Sequence, residues 1–128
     1  MTRTEARELL MKSLYEYDLR GDFANKNIDD YILDIDLKDQ KEYFESVFNS
    51  FVNNKKEIDE QISKYLENWD INRISKIDLA ILRLSAIEIL YINDVPKAVS
   101  VNEAVKLCKK FSSIESSKFV NGVLGHIE

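Results

Sequence analysis

The side chains of this sequence with the types and spacing for binding chemistry lie near its two ends. At the first end, Arg3 and Arg7 are four residues apart and therefore share one face of a helix. Tyr15 follows in the same segment, and an aromatic ring beside arginines can stack on a base of single-stranded nucleic acid. The structural alternative is a surface helix with intrahelical ion pairs and a tyrosine ring packed in the core.

The second group lies near the C-terminus. Ser116 and Ser117 could cap the last helix and leave its backbone N–H groups as an anion site, to which Lys118 adds positive charge. Phe119 could be a contact residue or part of the core. Gly122 falls inside an apolar helical pattern, where glycine costs on the order of 1 kcal/mol relative to alanine. We therefore expect Gly122 to permit a close approach between helices.

The usual catalytic constellations do not occur in the sequence. We expect the single histidine, His126, in the last turn of the last helix with a surface role. Cys108 precedes Lys109 and Lys110, which could lower a thiol pKa, but its apolar position favours a buried structural cysteine. No glycine-rich phosphate loop, zinc-ligand spacing or nucleophile elbow is found. We therefore expect a binding protein, not an enzyme, without a metal or cofactor.

Composition narrows the class of protein further. The 128 residues fit one domain, and three glycines with one proline argue against an all-β chain rich in turns. A single cysteine and the lack of an apolar signal segment predict a soluble, cytoplasmic protein. The net charge of −5 argues against nonspecific DNA binding. Residues 97–128 nevertheless carry five lysines against three acidic residues, which leaves room for a local nucleic-acid site.

Helical periodicity runs along most of the chain and predicts an all-α bundle. The first helix would start at a cap, Thr2 or Thr4, and would end near Gly21. About seven helices are expected: the N-terminal one, a short one around 28–35, then 43–52, 58–69, 74–91, 100–111 and a last one reaching residue 127.

Two of these helices carry further predictions. The helix over 74–91 is apolar nearly all round, so it belongs in the middle of the bundle. Asp78 and Arg83 are expected to reach the surface there, through gaps between neighbouring helices. In the next helix, Ser100 and Glu103 have the spacing of a capping box, so we expect Ser100 at its N-cap.

Four segments together resemble one known family. They are A-R-E-L-L-M-K-S-L-Y over 6–15, K-I-D-L-A-I-L-R-L-S-A-I-E-I-L over 76–90, V-P-K-A-V-S-V-N-E-A-V-K-L-C-K-K-F over 95–111 and S-S-K-F-V-N-G-V-L over 116–124. In this order they are similar to the bacterial transcription antitermination factor family NusB. The pair V-N-E-A-V and K-F-V-N-G-V-L is the most specific part of the match.

The resemblance implies one RNA-binding domain over 1–128 with two small helical subdomains, roughly 1–70 and 71–128. It also implies a function without catalysis. Members of this family bind the boxA element of nascent RNA together with NusE, a protein of the small ribosomal subunit. The complex helps RNA polymerase to read through terminators. Self-association into a homodimer is left open.

The family pattern also assigns residues by position. One departure is that Thr4 and Glu5 interrupt what is often a dense run of arginines in the family. Because each missing phosphate contact weakens binding, we expect this chain alone to bind RNA weakly and to depend on its partner. The residues matched to the RNA site are Arg3, Arg7, Tyr15, Lys118 and Phe119, and the residue matched to the NusE surface is Asp78.

Two other functions stay open at this stage. One is an RNA-binding module of the type fused to ribosomal RNA cytosine methyltransferases, against which the end of the chain at Glu128 argues. The other is a helical protein–protein adaptor, in which the C-terminal lysines form only a solvated face. Binding of NusE without RNA would favour the adaptor.

Overall fold

A computed structural model describes residues 1–22, 37–67 and 69–128 of the chain. Those ranges contain helices and no β-strand. Short 3₁₀ turns lie at Lys38–Gln40 and Ile71–Arg73. The α-helices are α1 (Arg3–Arg20), α2 (Lys41–Lys64), α3 (Lys76–Tyr91), α4 (Lys97–Phe111) and α5 (Ile114–Leu124).

The all-α prediction is confirmed, but seven helices is a miscount. The predicted helices over 43–52 and 58–69 form the single helix α2, which bends at Asn54, where φ is −131° and ψ is 20°. The second of them ends at Lys64, short of Trp69. The segment predicted around 28–35 lies outside the described residues.

Both ends of α1 follow the sequence prediction. The Thr2 hydroxyl accepts a hydrogen bond from the backbone N–H of Glu5, whose carboxylate in turn accepts one from the backbone N–H of Thr2. This reciprocal capping box satisfies two N–H groups that a helix start leaves without partners. Gly21 ends the helix with a φ of 80°, a left-handed conformation that glycine adopts without a steric cost.

Helix α3 occupies the centre of the bundle, as its apolar surface predicts. It packs against each of the other four helices, and every residue from Asp78 to Glu88 is buried. The expectation that Asp78 and Arg83 surface was wrong, because their side chains are only 7% and 4% exposed. Both are held by partners outside α3, which compensate for the burial of their charges.

The predicted starts of α4 and α5 were also wrong. Helix α4 begins at Lys97, one residue after Pro96, and Ser100 lies inside it with its hydroxyl bonded to Glu88. Proline is favoured near a helix start because that position needs no N–H donor. Helix α5 begins after Ser113, whose hydroxyl accepts a hydrogen bond from the backbone N–H of Ser116. The anion site expected at Ser116 and Ser117 is therefore not formed.

The buried apolar residues from all five helices form one hydrophobic cluster. The division into subdomains near residue 70 stays a prediction. Within the described ranges, none of the helices is long and apolar enough to cross a membrane.

Candidate nucleic-acid interface

Arg7 lies in the core and forms a bidentate ion pair. Its Nε donates a hydrogen bond to Oε2 of Glu88 and its Nη2 donates one to Oε1, and both bonds are 2.9 Å long. Only 4% of the residue is exposed. Glu88 also accepts hydrogen bonds from the Tyr43 hydroxyl at 2.7 Å and the Ser100 hydroxyl at 3.0 Å. Four helices thus meet at one carboxylate, and the Arg7 guanidinium is turned away from any phosphate in solvent.

The electrostatics of this cluster keep its charges in place. Burial disfavours the charged form of Arg7, but the hydrogen bonds and charge of Glu88 raise its pKa above the usual value. Burial, together with the negative charge of Glu88, raises the pKa of the Tyr43 phenol well above its ordinary range. Tyr43 therefore remains a neutral hydrogen-bond donor, and Arg7 acts as a residue that positions α1.

Arg3 lies at the same end of the bundle but closer to solvent. Its Nε donates to Oε1 of Gln40 at 2.6 Å, and its Cζ lies 3.9 Å from the centroid of the Tyr43 ring. The small cavity that it lines, about 150 Å³, is also lined by Asp39, Glu42 and Asp94. These carboxyl groups compete with phosphate for the Arg3 charge.

Lys118 and Phe119 lie near the other end of α3, so the structure does not bring them into contact with Arg3. Arg3 shares its cavity with Ile92, just after the end of α3, while Phe119 shares a cleft with Ser75 and Asp78 at the start of α3. A helix of 16 residues spans about 24 Å. The predicted site residues therefore fall into two groups.

A surface that does combine basic and aromatic side chains lies where α1 meets α4. We call it the α1/α4 surface, formed by Lys12, Tyr15, Lys110 and Phe111. The Nζ atoms of Lys12 and Lys110 lie 5.5 Å and 5.3 Å from the centroid of the Phe111 ring, so both are within cation–π distance of it. Tyr15 lies one turn beyond Lys12 on the same face of α1, half-buried against the core.

The charge of this surface is only partly neutralised. Lys110 Nζ lies 2.6 Å from Oε1 of Glu8, an ion pair that ties α4 to α1 while most of the lysine stays exposed. Lys12 is exposed and pairs with no carboxylate in the part of the chain that the structure describes. The sequence analysis did not assign Lys12 to the site, and it considered Lys110 only as a neighbour of Cys108. A signal was present in K-L-C-K-K-F, where Lys110 directly precedes the phenylalanine.

Asp78 joins α3 to the start of α5. Its Oδ1 accepts a hydrogen bond from the Ser112 hydroxyl and its Oδ2 accepts one from the Ser116 hydroxyl, and both bonds are 2.8 Å long. It lines a cleft of about 340 Å³ together with Trp69, Arg73 and Phe119. Because Ser112 directly follows Phe111 in the chain, this cleft adjoins the α1/α4 surface. Asp78 shapes the cleft while most of its own carboxylate is occupied within the protein.

Cys108 and His126 carry no catalytic geometry. Cys108 is fully buried, and burial, reinforced by the negative charge of Asp78, raises the pKa of its thiol to about 12. This confirms the prediction of a buried cysteine. His126 lies two residues beyond the end of α5, not in its last turn, and its ring stacks on Tyr65 with centroids 5.3 Å apart. The described ranges contain no group of three acidic, histidine or cysteine residues placed to hold a metal ion.

A second buried ion cluster fixes the opposite end of α1 to α3. Arg83 donates to both Asp59 oxygens at 2.9 and 3.0 Å and to Asp18 at 3.1 Å. Asp18 also pairs with Lys76 at 2.7 Å. Burial alone would raise the pKa of Asp18, but the bonds from Lys76 and Arg83 lower it below its usual value. The two ion clusters tie α1 to α3 near both of its ends, and Lys12 and Tyr15 lie between them on the side of α4.

Comparison with known proteins gives consistent matches over nearly the whole chain. The sequence model of the NusB family matches residues 4–128. A transcription antitermination protein NusB from Thermoanaerobacter sp. (strain X514) is 44% identical over 98% of this chain and 89% of its own length. The protein of the same name from Listeria monocytogenes is 42% identical over 99% of this chain and 96% of its own.

Solved structures agree with these sequence matches. T. maritima NusB superimposes with a TM-score of 0.86 at 31% identity, covering 99% of this chain and 90% of that one. A chain in the crystal structure of antitermination factors NusB and NusE in complex with dsRNA gives a TM-score of 0.80 at 30% identity, covering 99% and 97%.

Proposed function

The chain belongs to the NusB family, and we propose that it is a transcription antitermination factor that binds boxA RNA together with NusE and promotes read-through by RNA polymerase. It acts in the cytoplasm, where transcription takes place, and by binding without catalysis. The solved relative that contains NusB, NusE and dsRNA supports this assignment of partners.

The observation that carries the RNA-binding role is the α1/α4 surface. It offers a half-exposed tyrosine, a phenylalanine ring with two ammonium groups within cation–π distance, and a lysine without a carboxylate partner among the described residues. Aromatic faces stack on unpaired bases, and exposed lysines neutralise phosphates. Tyr15 is the proposed stacking residue, and Lys12 and Lys110 are the proposed phosphate contacts.

The cleft around Asp78 is proposed as the NusE side of the protein. It adjoins the α1/α4 surface through Phe111 and Ser112, so a protein bound there would lie next to bound RNA. Phe119 lines this cleft, and we propose that it contacts partner and RNA where they meet. This adjacency explains why affinity for RNA should depend on NusE, since each bound partner adds surface for the other.

The two arginines receive different roles in this proposal. Arg7 contributes to the stability of the fold and makes no RNA contact, because its guanidinium is buried in the ion pair with Glu88. Arg3, surrounded by acidic residues, makes at most a weak phosphate contact. The isolated chain therefore binds RNA weakly, as the interrupted arginine motif predicts.

The proposal can be tested by fluorescence anisotropy of a labelled boxA RNA with the chain alone, with NusE alone, and with both. We expect tight binding only with both proteins. Tyr15→Ala should weaken the ternary complex about fivefold to a hundredfold, because base–aromatic stacking is worth about 1–3 kcal/mol. The matched control is Tyr91→Ala, which removes a half-buried tyrosine at the end of α3.

Two results would count against the proposal. Unchanged affinity of the Tyr15→Ala variant would remove Tyr15 from the RNA site. Binding of NusE with no gain in RNA affinity would instead favour the helical adaptor, for which the Asp78 cleft is the specific supporting feature.

A further inference from the structure

Helix α4 carries a second apolar stripe, apart from the face that it buries in the core. Ala98, Val101 and Val105 follow one another at spacings of three and four, and all three are half-buried or exposed. They line a groove of about 490 Å³ between α4 and Asn121 of α5. We call it the α4/α5 groove. An apolar stripe at helical spacing that stays open to solvent is suited to packing against a further helix.

The α4/α5 groove and the α1/α4 surface lie on different sides of α4. Glu103 and Lys110 face α1, because Glu103 lies 3.9 Å from Arg7 and Lys110 pairs with Glu8 at 2.6 Å. Val105 is five residues before Lys110 and therefore about 140° away around the helix. A partner in the groove would leave the proposed RNA surface uncovered.

The surroundings of the α4/α5 groove are basic. Among the described residues that line it, Lys97 alone is charged, and its Nζ donates a hydrogen bond to the backbone oxygen of Gly125. Lys106 and Lys109 are exposed, each one turn after a lining residue. Lys109 pairs with no carboxylate in the described part of the chain, and the one acidic residue of α4, Glu103, is directed towards α1. Such a groove is complementary to a partner that carries carboxylates beside its apolar side chains.

The groove has to recognise its partner through side chains. The backbone groups of α4 and α5 bond within their own helices, so an extended peptide finds no strand edge to pair with. The described lining residues include no aromatic ring on which an RNA base could stack. A helix lying along two neighbouring helices needs only a stripe of small apolar side chains. The face from Ala98 to Lys109 is about 17 Å long, which matches about three helical turns.

We propose that the α4/α5 groove binds an acidic amphipathic helix of a protein partner. The apolar side chains of that helix pack on the stripe of α4, and its carboxylates lie beside Lys106 and Lys109. This docking site goes beyond the proposed function, because neither the α1/α4 surface nor the cleft around Asp78 includes these residues. It allows a further protein to join the complex while RNA and NusE stay bound.

The probe is a fluorescently labelled synthetic peptide of about 15 residues, with leucines on one helix face and glutamates on the others. Anisotropy should show saturable binding to the chain with a Kd below about 1 mM. A peptide of the same composition, with its leucines spread around the helix, should bind at least about tenfold more weakly. Fewer of its apolar side chains reach the groove at once.

Two variants remove the apolar and the basic features separately. Val105→Asp places a charge in the apolar stripe and should weaken peptide binding at least about tenfold. Its matched control is Val99→Asp, at a 42% exposed valine of the same helix outside the groove. Lys109→Glu should weaken binding about fivefold at low salt and less at high salt. Its control, Lys56→Glu on α2, makes the same change in net charge. Both controls should bind the peptide as the wild type does.

Wild-type affinity in folded Val105→Asp or Lys109→Glu would overturn the proposal, and so would equal binding of the rearranged peptide or of a peptide with lysines in place of glutamates. A wild-type dimer that Val105→Asp dissociates, seen by sedimentation, would assign the groove to a second copy of the chain. Loss of boxA RNA or NusE binding by Val105→Asp, with circular dichroism unchanged, would assign it to the sites already described. The peptide titration needs neither RNA nor NusE, so its result is independent of the proposed antitermination function.

Discussion

Replacing Arg7 with methionine should destabilise the protein strongly while affecting RNA affinity little. Methionine keeps an unbranched side chain of similar length at this buried position but removes the guanidinium. The carboxylate of Glu88 would then remain in the core without its cation, since Nε and Nη2 of Arg7 each donate a 2.9 Å hydrogen bond to it. The side chains of Arg7 and Glu88 are 5% and 2% exposed, so water does not replace the lost partner.

The size of the effect follows from that burial. Breaking one partner of a buried ion pair typically costs about 3–5 kcal/mol, because an uncompensated charge stays behind. The Tyr43 and Ser100 hydroxyls continue to donate to Glu88 and reduce the loss, which places the expected value near the lower end, about 3 kcal/mol. The total free energy of unfolding of a natural domain is about 5–15 kcal/mol, so the variant should remain folded in dilute buffer at low temperature.

Urea unfolding followed by far-UV circular dichroism measures this difference. The matched control is Arg3→Met, one turn earlier on the same face, which loses a bond to Gln40 and a cation–π contact at a partly exposed site. It should cost only about 1 kcal/mol. If both variants lost the same stability, or if the folded Arg7→Met chain with NusE lost tenfold or more RNA affinity, the assignment of Arg7 to the core would be refuted.

Three further predictions concern charge, thiol chemistry and helix propensity. Asp18→Asn should lower the free energy of unfolding by about 1.5–3 kcal/mol at pH 7. Because the pKa of Asp18 is lowered in the folded state, this difference from wild type should persist above about pH 4 and shrink as the pH falls further. Chemical denaturation at each pH measures it. The Cys108 thiol, with a pKa raised to about 12, should resist iodoacetamide at pH 8 in the native protein and react at once in 6 M guanidinium, as mass spectrometry would detect; fast native labelling would contradict its burial. Gly122→Ala should raise the free energy of unfolding by about 0.5–1 kcal/mol, whereas Gly21→Ala, at a φ of 80°, should lower it by about 1 kcal/mol. A shift of the thermal unfolding midpoint in the same direction for both variants would contradict the helical conformation of Gly122 or the left-handed conformation of Gly21.

Local sequence rules predicted those features whose partners are near in the chain. Thr2, one of the two predicted N-caps, finds its partner Glu5 within one helical turn, and Gly21 ends α1 because only its own backbone conformation matters. The apolar surface of α3 likewise placed it in the middle of the bundle without knowledge of its neighbours.

Features decided by distant partners could not be predicted in this way. Ser100 has the type and spacing of an N-cap, yet its hydroxyl bonds to Glu88, 12 residues earlier on another helix. Arg7 shares a helix face with Arg3, but its partner lies 81 residues away in sequence. Periodicity assigns a residue to a face of a helix; it does not say which carboxylate the fold brings to that face.

The candidate site shows the same limit. The sequence pointed to Tyr15 and Phe119 through their neighbours, and the family pattern joined them to the arginines. Only the structure reveals that Lys12 of α1 and Lys110 of α4 both lie within cation–π distance of Phe111. The sequence predicts that Gly122 permits a close approach between helices, and that prediction was wrong, because a Cβ at Gly122 would face open space.

The most direct test of the proposed RNA surface is the salt dependence of boxA binding by the chain with NusE, measured by anisotropy between 50 and 300 mM KCl. For single-stranded RNA each neutralised phosphate contributes about 0.7 to the slope of log K against log salt. The double variant Lys12→Gln/Lys110→Gln should therefore bind more weakly, with a slope reduced by about 1.4. Lys56→Gln, which removes an exposed lysine from α2, should leave the slope unchanged. An unchanged slope in the double variant, or an equal loss with Lys56→Gln, would contradict RNA binding at the α1/α4 surface.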